Sequence, residues 1–230
     1  MDRADTARDR ASESRARAAQ TKRDRTRAAL LGAADPAFAA RGWARTRVED
    51  IASAAGVSSA TAYNHFPTKH VLIGHVYAPL LRSLRTQAYR DIAAGRPIVP
   101  ALTDHVRALV RISWRHRGLT AALAAGIADY SIKVGRPADP NDENDPRVLA
   151  PVGEVVVELI RRGQQTGELR PWPPAEEIGT MLADLLLVRA VGRPYDPPEI
   201  TAELLLTLLF GALRPDMVAG AAPDARPFRT

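Results

Sequence analysis

The sequence predicts an all-α protein, and three features of it carry that expectation. Apolar residues recur at helical spacing through stretch after stretch, and no window shows the two-residue alternation of a strand. Gly and Pro fall where such helices should stop.

In order along the chain, Leu30, Leu31, Ala34, Phe38 and Ala39 share one helical phase that should end at Gly42. Pro36 lies inside this helix and should remove one hydrogen bond and bend the axis. Thr46-Arg47-Val48-Glu49 fits a capping box at the start of a helix whose Val48, Ile51, Ala52 and Ala55 face the core. Gly56 stops it, Val57 points inward, and Ser58 or Ser59 caps another short helix that reaches Phe66 before Pro67. Thr68 can cap a long helix striped by Ile73, Val76, Tyr77, Leu80, Leu81 and Leu84, with a kink expected at Pro79. Beyond Pro97, helices are expected over about 100–117, 119–130, 148–167, 175–191 and 199–213, with a loop over 133–146 rich in Pro, Asp and Asn. The expected organisation is a flexible basic arm with helical tendency over 1–24, a head over 25–70, a helical body over 71–214 and a frayed tail over 215–230.

Composition narrows the chemistry. Without cysteine there is no disulfide framework, no thiolate zinc site and no thiol nucleophile. Residues His65, His70, His75, His105 and His116 lack metal-ligand spacing, and no glycine-rich phosphate loop or nucleophile elbow occurs. Neither catalysis, nor a metal, nor a cofactor is expected. The longest apolar run, Leu204 to Phe210, is far short of the roughly 20 residues of a membrane span, so a cytoplasmic, nucleoid-associated chain with no membrane partner is expected. Net charge is +6, but residues 1–90 hold sixteen basic and eight acidic groups while the remainder is slightly acidic. A basic first third on a near-neutral body suits a nucleic-acid-binding head, though a solvated basic surface would look the same.

Two short helices joined through Gly56 have helix-turn-helix spacing: Ala52 is small at the crossing, Gly56 tolerates the turn, and Val57 anchors it. A recognition helix starting at Ser59 would offer Ser59, Ala60 and Thr61 to base edges, the last two to thymine methyls. Tyr63, Asn64 and His65 have polar tips suited to phosphate oxygens, and Thr46 and Arg47 would grip the other edge of the groove. Arg3, Arg8, Arg10, Arg15 and Arg17 read either as a solvated arm or as contacts to a minor groove or neighbouring phosphate.

Val48-Glu49-Asp50-Ile51-Ala52, Ala54-Ala55-Gly56-Val57-Ser58 and Thr61-Ala62-Tyr63-Asn64-His65-Phe66-Pro67-Thr68-Lys69 together resemble the tetracycline-repressor (TetR) family, over about residues 25–75. Gly167-Glu168-Leu169-Arg170-Pro171 resembles a phrase common in the family's C-terminal domains, while Ala60, Ala62 and Pro36 depart from its usual pattern. The resemblance implies a helix-turn-helix head on a ligand-binding and dimerisation bundle. It further implies a repressor released from a palindromic operator in double-stranded DNA by a small-molecule inducer. The residues matching Tyr63, His65 and Lys69 would clamp the DNA backbone, and an inducer would shift the long helix bearing Leu72 to Arg90.

Two C-terminal helices are apolar nearly all round, which calls for cover on both sides. A four-helix seam between two copies is the simplest cover, with Ile178, Leu182, Leu185, Leu205 and Leu209 as interface residues. Val106, Val110, Trp114, Tyr130 and Met181 are the candidate lining of an effector pocket.

Overall fold

A computed structural model describes the backbone of residues 3–214 and the side chains of 13–214. The tail expected over 215–230 lies outside the described residues. Among those described, every regular element is a helix: α1 (Arg3–Arg45), α2 (Val48–Ala54), α3 (Ser59–His65), α4 (Lys69–Ala93), α5 (Ile98–Arg115), α6 (Arg117–Val134), α7 (Pro146–Leu149), α8 (Glu154–Thr166), α9 (Ala175–Gly192) and α10 (Pro198–Leu213). The loop before α7 ends in a turn capped by Asp145, whose side chain accepts from Arg147 N. None of the described helices is long and apolar enough to cross a membrane.

Contacts divide the chain into two compact units that interleave along it. The first holds residues up to Pro79 together with His116–Pro151; the second holds Leu80–Arg115 and the residues from Val152 onward. α6 and α7 therefore cluster with the head, across the boundary expected at residue 70.

Glycines explain how α6 sits so close to α1 within the first unit. A Cβ on Gly118 would lie 2.2 Å from the Ala39 carbonyl oxygen, and one on Gly126 would lie 3.1 Å from the Trp43 ring. The expected stripe of α1 is the buried one: Leu30, Ala34 and Phe38 are fully covered. At Gly42 the backbone turns to φ +70°, which breaks the helical path where the sequence placed its end. A Schellman turn closes α2, with Gly56 N donating to Ser53 O at 3.0 Å and Val57 N to Ala52 O at 3.0 Å. Gly56 takes the positive φ of +70° that this turn requires.

In the second unit, α5 packs against α8, α9 and α10. Glu168 caps α5 from seventy residues away by accepting from Ile98 N at 2.8 Å, and Arg170 N donates to Leu213 O at the end of α10. The Gly167–Pro171 phrase thus ties the start of one helix to the end of another.

Candidate nucleic-acid interface

α3 is held at its start by Ser58, whose Oγ accepts from Thr61 N at 3.2 Å and lies 2.9 Å from Thr61 Oγ1. Burial of Ala62 and Phe66 fixes which side of α3 faces the core. The opposite crest carries exposed Ala60 and Asn64 with half-buried Thr61, while Ser59, also half-buried, begins the first turn. Of the residues expected at base edges, Ala60 and Thr61 thus share the crest with Asn64, whose expected partners are phosphates.

Tyr63 and His65 flank the crest. Tyr63 is 41% exposed and donates its hydroxyl to Glu49 Oε1 at 2.7 Å. That bond holds the Glu49 carboxyl below, and the Tyr63 hydroxyl above, its usual range. The Glu49 partner was missed because the capping-box pattern had claimed this residue for the start of α2. Half-buried His65 is held below its ordinary value by burial, then by the nearby charges of Arg23 and Arg27. Arg27 stacks over Phe66, 4.5 Å from the ring centre, and its guanidinium points at His65 O at 3.5 Å.

Two of the expected phosphate contacts are otherwise occupied. Thr46 is 1% exposed, and its hydroxyl donates to Gly42 O at 2.7 Å, with Ala37 O at 3.2 Å. The N-cap of α2 is instead Arg47, exposed and without a side-chain cap bond, so the capping box is not formed. Lys69 turns its ammonium onto the end of α1, donating to Trp43 O at 2.8 Å and Thr46 O at 3.1 Å, 4.1 Å from the Trp43 ring centre. Carbonyls left over at a helix end attract such a cation. Burial leads the causes that lower its pKa, against the raising effect of Asp129. Beside it, His70 Nε2 lies 2.7 Å from Asp129 Oδ2 and its ring packs on Trp43 and Tyr130. Aromatic and glycine positions scattered over three helices carry no periodic signal, which hid this cluster from the sequence.

The expected pocket lining is dispersed. Val106 and Val110 are core residues of α5, and Trp114, 44% exposed, stands on that helix's outer side. Tyr130 belongs to the first unit, where its hydroxyl donates to Asp142 at 3.3 Å. Met181 is 57% exposed and lies on the outer face of α9. The seam residues also need correction. Leu182, Leu205 and Leu209 are at most 4% exposed, since each unit must fill its own core first, whereas Leu185 is exposed and Ile178 half-buried. Large apolar residues left open on these two helices are Met181, Leu185, Val188 and Val191 on α9 with Ile200, Leu204 and Leu208 on α10. Among the described residues, no group of three or more acidic or imidazole side chains could hold a metal ion.

A capped crest of small and polar residues, presented by a helix crossing a second helix through a glycine turn, defines a helix-turn-helix protein. Residues 30–76 match the profile of bacterial regulatory proteins of the tetR family. The HTH-type transcriptional repressor Rv3405c of Mycobacterium tuberculosis is 39% identical over 95 residues, which is 40% of this chain and 48% of that protein. The HTH-type transcriptional repressor KstR2 of Rhodococcus jostii is 40% identical over 69 residues, 30% of this chain and 33% of that protein. The chain thus spans about half the length, or less, of the curated relatives it matches. A crystal structure of Thermus thermophilus FadR, a TetR-family repressor in complex with lauroyl-CoA, is similar in fold. Its TM-score is 0.63 at 27% identity, covering 86% of this chain and 97% of that one. Residues 30–76 thus carry a tetR-type DNA-binding region, and the chain as a whole shares the fold of FadR.

Proposed function

We propose that this protein is a transcriptional repressor that binds a palindromic operator as a homodimer and is released by a small-molecule effector. One observation carries the DNA-binding reading: α3 is a capped helix whose core side is fixed by Ala62 and Phe66 and whose outward crest is Ala60, Thr61 and Asn64. Small side chains let such a helix approach base edges, and Asn suits adenine. Arg47, Tyr63 and His65 flank the groove-facing crest as phosphate partners, while Thr46 and Lys69 act indirectly by fixing the end of α1 beside α2.

The open apolar faces of α9 and α10 support self-association, because a second copy would cover both and bring two heads to half-sites about one helical turn apart. FadR bound to lauroyl-CoA supports an effector, and acyl-CoA thioesters are the first class to assay. Such a ligand must favour the arrangement that binds DNA poorly. Selection of bound duplexes from a random library tests the DNA reading: a two-fold-symmetric consensus is expected, and recovery of unrelated sequences would overturn it. An acyl-CoA series is then added to the complex, with release as the expected outcome.

A further inference from the structure

Among the described side chains of α1, Leu30 is the first that is fully buried, yet the helix extends well before it. Every residue from Glu13 to Arg25 is exposed. A helix that packs on nothing gains no tertiary support, and the pairs that brace it, Arg17 with Glu13 and Gln20 with Asp24, are surface contacts of small effect. What this segment does present is charge. Residues 13–27 carry Arg15, Arg17, Lys22, Arg23, Arg25 and Arg27 against Glu13 and Asp24. Among the described residues, Arg15, Lys22, Arg23 and Arg25 make no ion pair.

Its direction matters as much as its charge. The core stripe Leu30, Ala34, Phe38 continues backward by helical steps into Arg27 and Arg23. Arg27 reaches His65 O at the end of α3 and covers Phe66, and Arg23 is near enough for its charge to act on His65. The basic rod therefore starts at the C-terminal end of the recognition helix. From Arg27 to Arg15 it spans about 18 Å at the usual helical rise.

We propose that the 13–27 segment of α1 is a second DNA-contacting element, which lies along the phosphates flanking the half-site and lengthens the footprint beyond the groove read by α3. It is a docking surface for duplex backbone, selected by charge and not by base sequence. This extends the DNA-binding reading above, and the experiment separates the two.

The test uses the full chain and its own selected duplex in two lengths, the core alone and the core with about ten flanking base pairs on each side, one helical turn. Affinity is measured by fluorescence anisotropy across a salt series for wild type and for the Arg15→Ala, Lys22→Ala, Arg25→Ala variant, which leaves Arg23 and Arg27 beside His65 intact. Alanine keeps the helix, and none of the three positions touches the core. Wild type is expected to bind the flanked duplex roughly tenfold more tightly, with a salt slope steeper by about two units or more. The variant should lose that advantage and keep wild-type affinity for the core duplex. Equal wild-type affinity for both lengths, or an unchanged flank advantage in the variant, overturns the inference and leaves the repressor reading standing. Failure of wild type to bind either duplex overturns both.

Discussion

Tyr63 and Glu49 show how a single pairing sets the tone of a surface. The carboxylate orients the phenol, yet it also places a negative charge where phosphates would come. Replacing Glu49 with Gln keeps an acceptor for the hydroxyl and removes the repulsion. Glu49→Gln is expected to tighten DNA binding several-fold at low salt, with the gain shrinking as salt rises. An anisotropy titration at two salt concentrations checks this; weaker binding in both would mean the charge is needed to hold Tyr63. His105 is the other residue whose chemistry is exposed by its setting. Burial on α5 lowers its pKa from the ordinary 6.5 to about 4. Below pH 6.5 the unfolded chain takes up a proton that the folded one refuses, so stability should fall between pH 6.5 and 4 and level off below that. The expected loss is about 3 kcal/mol, from the size of the shift. Urea denaturation of wild type and His105→Leu across that window checks it, since the difference between the two should be strongly pH-dependent.

At the scale of elements, helices were legible because each carries its own period and stops. The stripe of α1, the break at Gly42, the turn at Gly56, the Ser58 cap and the start of α4 all lie where local rules put them. What escaped were the partners. Nothing in the spacing of Thr46 shows that its hydroxyl is taken by Gly42 O, or that Lys69 caps α1 from α4. Likewise an apolar helix surface does not show which side its own unit will claim, and so Leu205 and Leu209 were placed at a seam when they fill a core. The α1–α6 packing gives a sharp test of such non-local constraints. Gly118→Ala would drive a methyl into the Ala39 carbonyl and should cost about 1–3 kcal/mol. Gly32→Ala, in the same unit but with open space around it, should instead stabilise by up to about 1 kcal/mol. Equal effects in denaturant titrations would remove the close-packing account.

For the whole molecule, assembly is the property that the apolar faces bear on. Leu208, 59% exposed on α10, can be changed without opening a core. Leu208→Glu should leave the thermal unfolding of the isolated chain nearly unaltered while shifting sedimentation toward monomer and weakening operator binding at least tenfold. A variant that still sediments as a dimer would move the interface away from this surface. The two units also differ in a way that an optical experiment can use. Trp43 is half-buried beneath the Lys69 ammonium and against the Phe38 and His70 rings, whereas Trp114 and Trp172 stand exposed on the other unit. Emission from the first indole should be shifted to the blue and shielded from iodide, leaving the other two to be quenched. The head thus carries an intrinsic fluorophore at the joint between α1 and α4, able to register a change of packing there without any attached dye.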